Sequence, residues 1–60
     1  MFTCTLDDIT QEGTVLKDGT PVGGASFANG AQRRLFLEML AGGARPARAA
    51  EESGAIFTPA

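Results

Sequence analysis

The sequence predicts an α+β fold: a strand and hairpin region over residues 1–25, then a helical hairpin with a short apolar tail over residues 26–60. Three observations lead there. Apolar and polar residues alternate from Phe2 to Leu6, Asp18-Gly19 sits midway between two extended-chain runs, and beyond Gly23-Gly24 the apolar spacing lengthens to that of a helix.

In chain order, Phe2, Cys4 and Leu6 alternate with Thr3 and Thr5 as in a half-buried strand, and Asp7-Asp8 reads as a turn. Between Val15 and Val22, Asp18-Gly19 fits the two-residue loop of a hairpin, where both positions need positive φ. In that register Lys17 pairs with Thr20 and Leu16 with Pro21. The missing N–H of Pro21 then points away from its partner, as suits an edge strand. A lone hairpin is marginal in water, so a third strand, the helices or another chain must lie beside it. Gly23-Gly24 reads as a break, which confines extended structure to residues 2–22.

A first helix is expected near residues 29–41. Asn29 suits the N-cap, and Gln32 three residues on resembles a capping box. Ala31, Leu35, Phe36, Leu37, Met39 and Leu40 cover more than half of its circumference, leaving Arg34, Glu38 and Ala41 as the solvent strip. So wide an apolar face calls for two neighbours, with Phe36 and Leu40 at the centre of the core. Gly42-Gly43 supplies a left-handed stop. Pro46 fits the first turn of a second helix near residues 46–53, which Gly54 closes. The tail from Ala55 to Ala60 offers two large apolar residues, Ile56 and Phe57, and little room for structure.

The 60 residues make one domain at most, and so small a core rarely supplies more than about 3–5 kcal/mol. Cys4 is the only cysteine and histidine is absent, so neither an intrachain disulfide nor a Cys/His zinc site is available. Oligomerisation or docking on a larger body is the expected source of extra stability. With no basic region leading into an apolar run and no stretch of bilayer length, a cytoplasmic protein without membrane contact is expected. The net charge of −2 is uneven. Asp7, Asp8, Glu12 and Asp18 face Lys17 alone in the first 25 residues, whereas Arg33, Arg34, Arg45 and Arg48 outnumber Glu38, Glu51 and Glu52 afterwards. An anionic partner would therefore meet the second half.

Acid–base and nucleophilic catalysis need a positioned proton carrier, most often histidine, so no catalytic residue, cofactor or metal site is assigned and the chain is not expected to be an enzyme. Asp7, Asp8 and Glu12 could be read as a cation site, but they lack the ordered spacing of an oxygen-ligand loop, and a solvated turn is the better reading. Gly23-Gly24 and Gly42-Gly43 lack the strand, lysine and hydroxyl of a phosphate loop.

The most informative stretch is residues 31–54. Phe36, Leu37 and Leu40, then Gly42 or Gly43, then Ala49, Ala50 and Gly54 resemble the opening two helices of the helix-turn-helix in phage small terminase subunits and related transposase or regulator domains. The resemblance implies a DNA-binding role. A helix-turn-helix needs a small residue in its first helix where the recognition helix crosses, and alanine gives that clearance. The chain departs from that pattern after Gly54. It offers Ala55, Ile56-Phe57 and then Thr58-Pro59 as a possible cap and first turn, and the recognition helix itself is missing.

Two readings follow. In one, the chain is a phage-like, helix-turn-helix-type module lacking a complete recognition helix, and Arg33, Arg34, Arg45 and Arg48 touch the phosphates of double-stranded DNA. Ordinary solvated helix charges explain the same arginines, with Arg48 and Glu52 spaced as an ion pair. In the other, it is a small structural or protein-interaction component, a homo-oligomer or part of a larger assembly, with Ile56 and Phe57 as contact residues.

Overall fold

The computed structural model describes residues 1–7, 9–10 and 12–60. These form β1 (Phe2–Asp7), β2 (Glu12–Lys17), β3 (Thr20–Ser26), α1 (Gly30–Ala41), α2 (Pro46–Ser53) and β4 (Ile56–Pro59). The strands make one antiparallel sheet in the order β1-β2-β3-β4. The α+β expectation holds, with more strand than the sequence suggested.

The β2–β3 hairpin forms as its turn residues require. Asp18 and Gly19 have φ of 51° and 86°, and Lys17 lies opposite Thr20 and Leu16 opposite Pro21. The pairing then shifts between Val15 and Leu16, a bulge that leaves Val22 as the extra residue before Gly23 meets Val15. Gly23-Gly24 is thus no break, because both glycines lie inside β3. Nor is β3 an edge strand: β4 flanks it from Gly23 to Ser26 and stops short of Pro21, so the proline's missing donor leaves no pairing unmade. At its other end β1 runs through Asp7, whose Oδ1 accepts hydrogen bonds from the N–H groups of Ile9 (2.8 Å) and Thr10 (3.2 Å). Asp8 lies outside the described residues, so the expected Asp7-Asp8 turn is seen only through Asp7.

The tail that was expected to lack structure is a strand. Ile56, Phe57, Thr58 and Pro59 pair with Ser26, Ala25, Gly24 and Gly23 in turn, and the Ala60 N–H donates to Val22 O at 3.0 Å. Both helices therefore lie in the connection between two neighbouring strands. The boundary expected after residue 25 falls inside β3, and residues 26–60 return to the same sheet.

Local signals set the helix ends. Asn29 Oδ1 accepts from the Gln32 N–H at 2.8 Å, as expected of the cap, whereas Gln32 Oε1 accepts from the Ala28 N–H at 2.9 Å, one residue before the cap. At the far end Gly42 stays right-handed (φ −80°) and Gly43 takes the left-handed position (φ 98°). The Gly43 N–H donates to Leu40 O and that of Ala44 to Met39 O, both at 3.0 Å, which is a Schellman closure. Pro46 opens α2, and Gly54 ends it with φ of 84°.

The core lies between one sheet face and the two helices. Val15 and Ala25 contribute from the sheet, Phe36 and Leu40 from α1, Ala49 and Ala50 from α2, and Ala55 from the following turn. Phe2, Cys4, Val22, Phe27, Met39 and Phe57 pack around them. The rings of Phe27 and Phe36 meet edge to face at 5.4 Å. Full burial of a side chain such as Phe36 contributes about 1.5–3 kcal/mol, so it and Leu40 anchor the helical half as expected. The apolar face of α1 is narrower than its sequence suggests: Arg34, Glu38 and Ala41 face solvent, but so do Ala31 and Leu35.

Candidate protein-interaction surface

Strand geometry fixes which side chains share a face. Directly paired residues project to the same side, so Phe2, Cys4, Leu6, Gly13, Val15, Gly23, Ala25, Phe57 and Pro59 line the side that carries the core. Among the described residues nothing covers the other side. One row across it reads Thr5, Thr14, Gly24, Thr58, and the next reads Asp7, Glu12, Ser26, Ile56. Ile56 is 65% exposed on this face. Its neighbour Phe57 points the opposite way into the rim of the core, so of the two tail residues proposed for contact only Ile56 is displayed.

The glycines separate internal necessity from open space. A methyl at Gly13 would stand 2.6 Å from Cys4 Sγ, and one at Gly23 would stand 2.5 Å from Thr58 O and 2.8 Å from the Phe57 ring. Those positions must be bare for the strands to pack. At Gly24 the methyl would meet only Gly13 O, at an ordinary 3.6 Å, and φ is not in the left-handed region. Gly24 instead leaves a hollow in the outer face, bordered by Glu12, Gly13, Ser26 and Thr58. A strand glycine accompanies a bulge, such as the one at Val22, or leaves room for close approach by another backbone. Reading Gly23-Gly24 as a break concealed this distinction, since only the pairing shows which way each glycine faces.

The four arginines are differently placed. Arg48 Nε bonds Glu52 Oε1 at 3.1 Å on the exposed side of α2, the expected helical ion pair. Arg45 is exposed at the N-cap of α2 and makes no side-chain capping bond. Arg34 is exposed, whereas Arg33 is half-buried, and both line a groove between α1 and β1 with Leu6, Gly30 and Leu37. Among the described residues no group of histidine, cysteine, aspartate or glutamate is arranged to hold a metal ion, and no helix is long and apolar enough to cross a membrane. Cys4 is half-buried, and burial pushes its thiol pKa up, which keeps it protonated at neutral pH.

Beyond Gly54, where a helix-turn-helix would launch its third helix, Ile56–Pro59 runs as strand β4, so Thr58-Pro59 is not the cap and first turn of a helix. No protein-family model matches the chain, and neither the curated proteins nor the solved structures include a significant match.

Proposed function

We propose that this chain is a small protein-interaction module that works by joining its sheet to another polypeptide. The observation that carries this reading is the uncovered sheet face, with Ile56 displayed and a hollow at Gly24 that nothing inside the fold demands. The bare backbone at Gly24 leaves room for a second chain to approach the face closely, with Ile56 at its border. The duplex-DNA reading rests on Arg33, Arg34, Arg45 and Arg48. One of these is already paired to Glu52, and the segment after α2 is held against β3.

A titration of labelled duplex at low salt, run beside sedimentation of the same chain, separates the two. The interaction reading expects no duplex binding and an association whose mass rises with protein concentration; Ile56→Asp weakens a contact through the outer face and leaves one through the β1 edge in place. Duplex binding that weakens with salt at a log–log slope of about −0.9 per phosphate, and that flattens when Arg45 and Arg48 both become alanine, would overturn it.

A further inference from the structure

We propose that two copies of this chain pair antiparallel through β1, with Cys4 of one copy facing Cys4 of the other across a two-fold axis to give a continuous eight-stranded sheet. This deepens the protein-interaction reading and rests on it.

The argument begins with the backbone of the edge. The Asp18 N–H donates to Met1 O at 3.0 Å, and hydrogen-bonded pairs alternate along an antiparallel ladder. With the register of β1 on β2, Thr3, Thr5 and Asp7 direct their backbone groups toward β2. Phe2, Cys4 and Leu6 therefore aim their N–H and C=O groups away from the sheet. Natural edges are usually guarded by proline, lysine, a bulge or brevity. From Phe2 to Leu6 there is no proline and no charge, and the pairing with β2 runs without a shift. The opposite edge is guarded, because β4 is four residues long and ends in Pro59.

The side chains then select the occupant. Phe2-Thr3-Cys4-Thr5-Leu6 reads alike in chemical type from either end, with Cys4 at its centre. An isologous two-fold contact places each patch against itself, so an antiparallel strand meets its own reversed order. Centred on Cys4, the pairing sets Phe2 opposite Leu6, Thr3 opposite Thr5 and Cys4 opposite Cys4. Apolar pairs then fall on the core side and hydroxyl pairs on the outer side. A one-residue slip would set the outward-aimed groups of one copy against the inward-aimed groups of the other, and a two-residue slip would leave two hydrogen-bonded pairs within β1 in place of three. Space is present as well. Leu6 is 40% exposed beside the groove of about 430 Å³ that it forms with Gly30, Arg33, Arg34 and Leu37, so it has room to turn toward Phe2 of the second copy, whose ring stays against its own core.

Sedimentation of the 60-residue chain across a wide concentration range tests the pairing, with Cys4→Ala and Cys4→Pro as variants. Because the ladder aims the Cys4 N–H away from β2, proline at this edge position should leave the circular dichroism of the fold in place while weakening dimerisation at least tenfold. Cys4→Ala keeps the N–H and should still dimerise. Should Cys4→Pro fail to fold, mild oxidation of the wild-type chain decides: Cα atoms about 5.5 Å apart in such a pair lie within disulfide range. At mildly alkaline pH, where this burial-raised thiol begins to ionise, a covalent dimer should form through Cys4, and not in Cys4→Ser carrying Thr58→Cys on the far edge; its absence in the wild-type chain overturns the proposal. A chain that stays monomeric at every concentration overturns the proposal. So does a dimer equally strong in a folded Cys4→Pro variant, which would move the contact elsewhere on the module. Neither result bears on the duplex titration, whose salt-sensitive binding would remove the interaction reading itself.

Discussion

Adjacent glycines in β3 should respond in opposite directions to the same added methyl group. Gly24→Ala places its Cβ in the outer hollow, 3.6 Å from the nearest atom, on a backbone that alanine adopts without strain. Removing a glycine from such a position stabilises by about 0.4–1 kcal/mol, chiefly by narrowing the unfolded ensemble. For a domain of this size that is a rise in Tm of roughly 2–8 °C. Gly23→Ala drives its Cβ against Thr58 O at 2.5 Å and the Phe57 ring at 2.8 Å. A carbonyl held in a ladder cannot move aside alone, so β4 must shift, at an overpacking cost of about 1–3 kcal/mol. Its Tm should fall by at least about 4 °C. Thermal unfolding followed by circular dichroism at matched low concentration measures both. Equal losses in the two variants, or a lower Tm for Gly24→Ala, would show that the hollow is not open space and would remove the main support for the outer face as a docking surface.

Three further perturbations test other parts of the fold. Phe36→Ala removes a fully buried ring that also meets Phe27, at a cost of about 3–5 kcal/mol, and near-ultraviolet and urea measurements should find it largely unfolded. Asp7 and Glu12 carry like charges directly opposite one another at the end of β1 and β2. Glu12→Thr should therefore raise the urea midpoint by the equivalent of about 0.2–1 kcal/mol, and added salt should shrink the difference. Asp18 Oδ1 lies 2.6 Å from the Met1 ammonium; that hydrogen bond first, then the ammonium charge and more weakly Lys17, hold its carboxyl pKa below the usual range. A carboxyl pKa lowered by folding contributes stability above its unfolded value, near pH 3.9, and loses it as pH falls through the folded value. The advantage of wild type relative to Asp18→Asn should therefore shrink below about pH 4 in urea titrations, and an advantage unchanged down to pH 2 would refute the pairing.

What the sequence revealed follows the range of the interactions involved. Asp18-Gly19 announces its hairpin because positive φ at two successive positions is a local demand, and the register of Lys17 and Leu16 follows from it. Asn29, Gly43, Pro46 and Gly54 likewise mark helix ends through groups a few residues away. Residues 23–26 and 56–59 were obscure for the converse reason. Glycine carries the same local signature in a break as in a tightly packed strand, and Ile-Phe-Thr-Pro is too short to show a period. Each segment becomes a strand only because the other lies beside it. Leu35 exposes another limit: spacing places it on the apolar arc of α1, but the extent of the cover decides that it stays 41% exposed. The same applies to contact residues, since Ile56 and Phe57 cannot be told apart until the strand sends one outward and the other inward.

The route from β3 to β4 also bears on how the molecule acquires its structure. Strands β1 to β3 form a meander whose contacts are close along the chain, of the kind that closes in microseconds. β4 must wait for a loop from Ser26 to Ile56 to close, with both helices inside it. The loop's entropy grows only slowly with its length, so the cost of the step is modest, and contact order predicts that it follows the meander. Until then β3 is itself an open edge, and the detached segment at Ile56–Pro59 fits any copy of β3 equally well. At high protein concentration a refolding chain can therefore receive this strand from a neighbour, and an exchanged dimer of that kind should form during refolding and relax slowly on dilution.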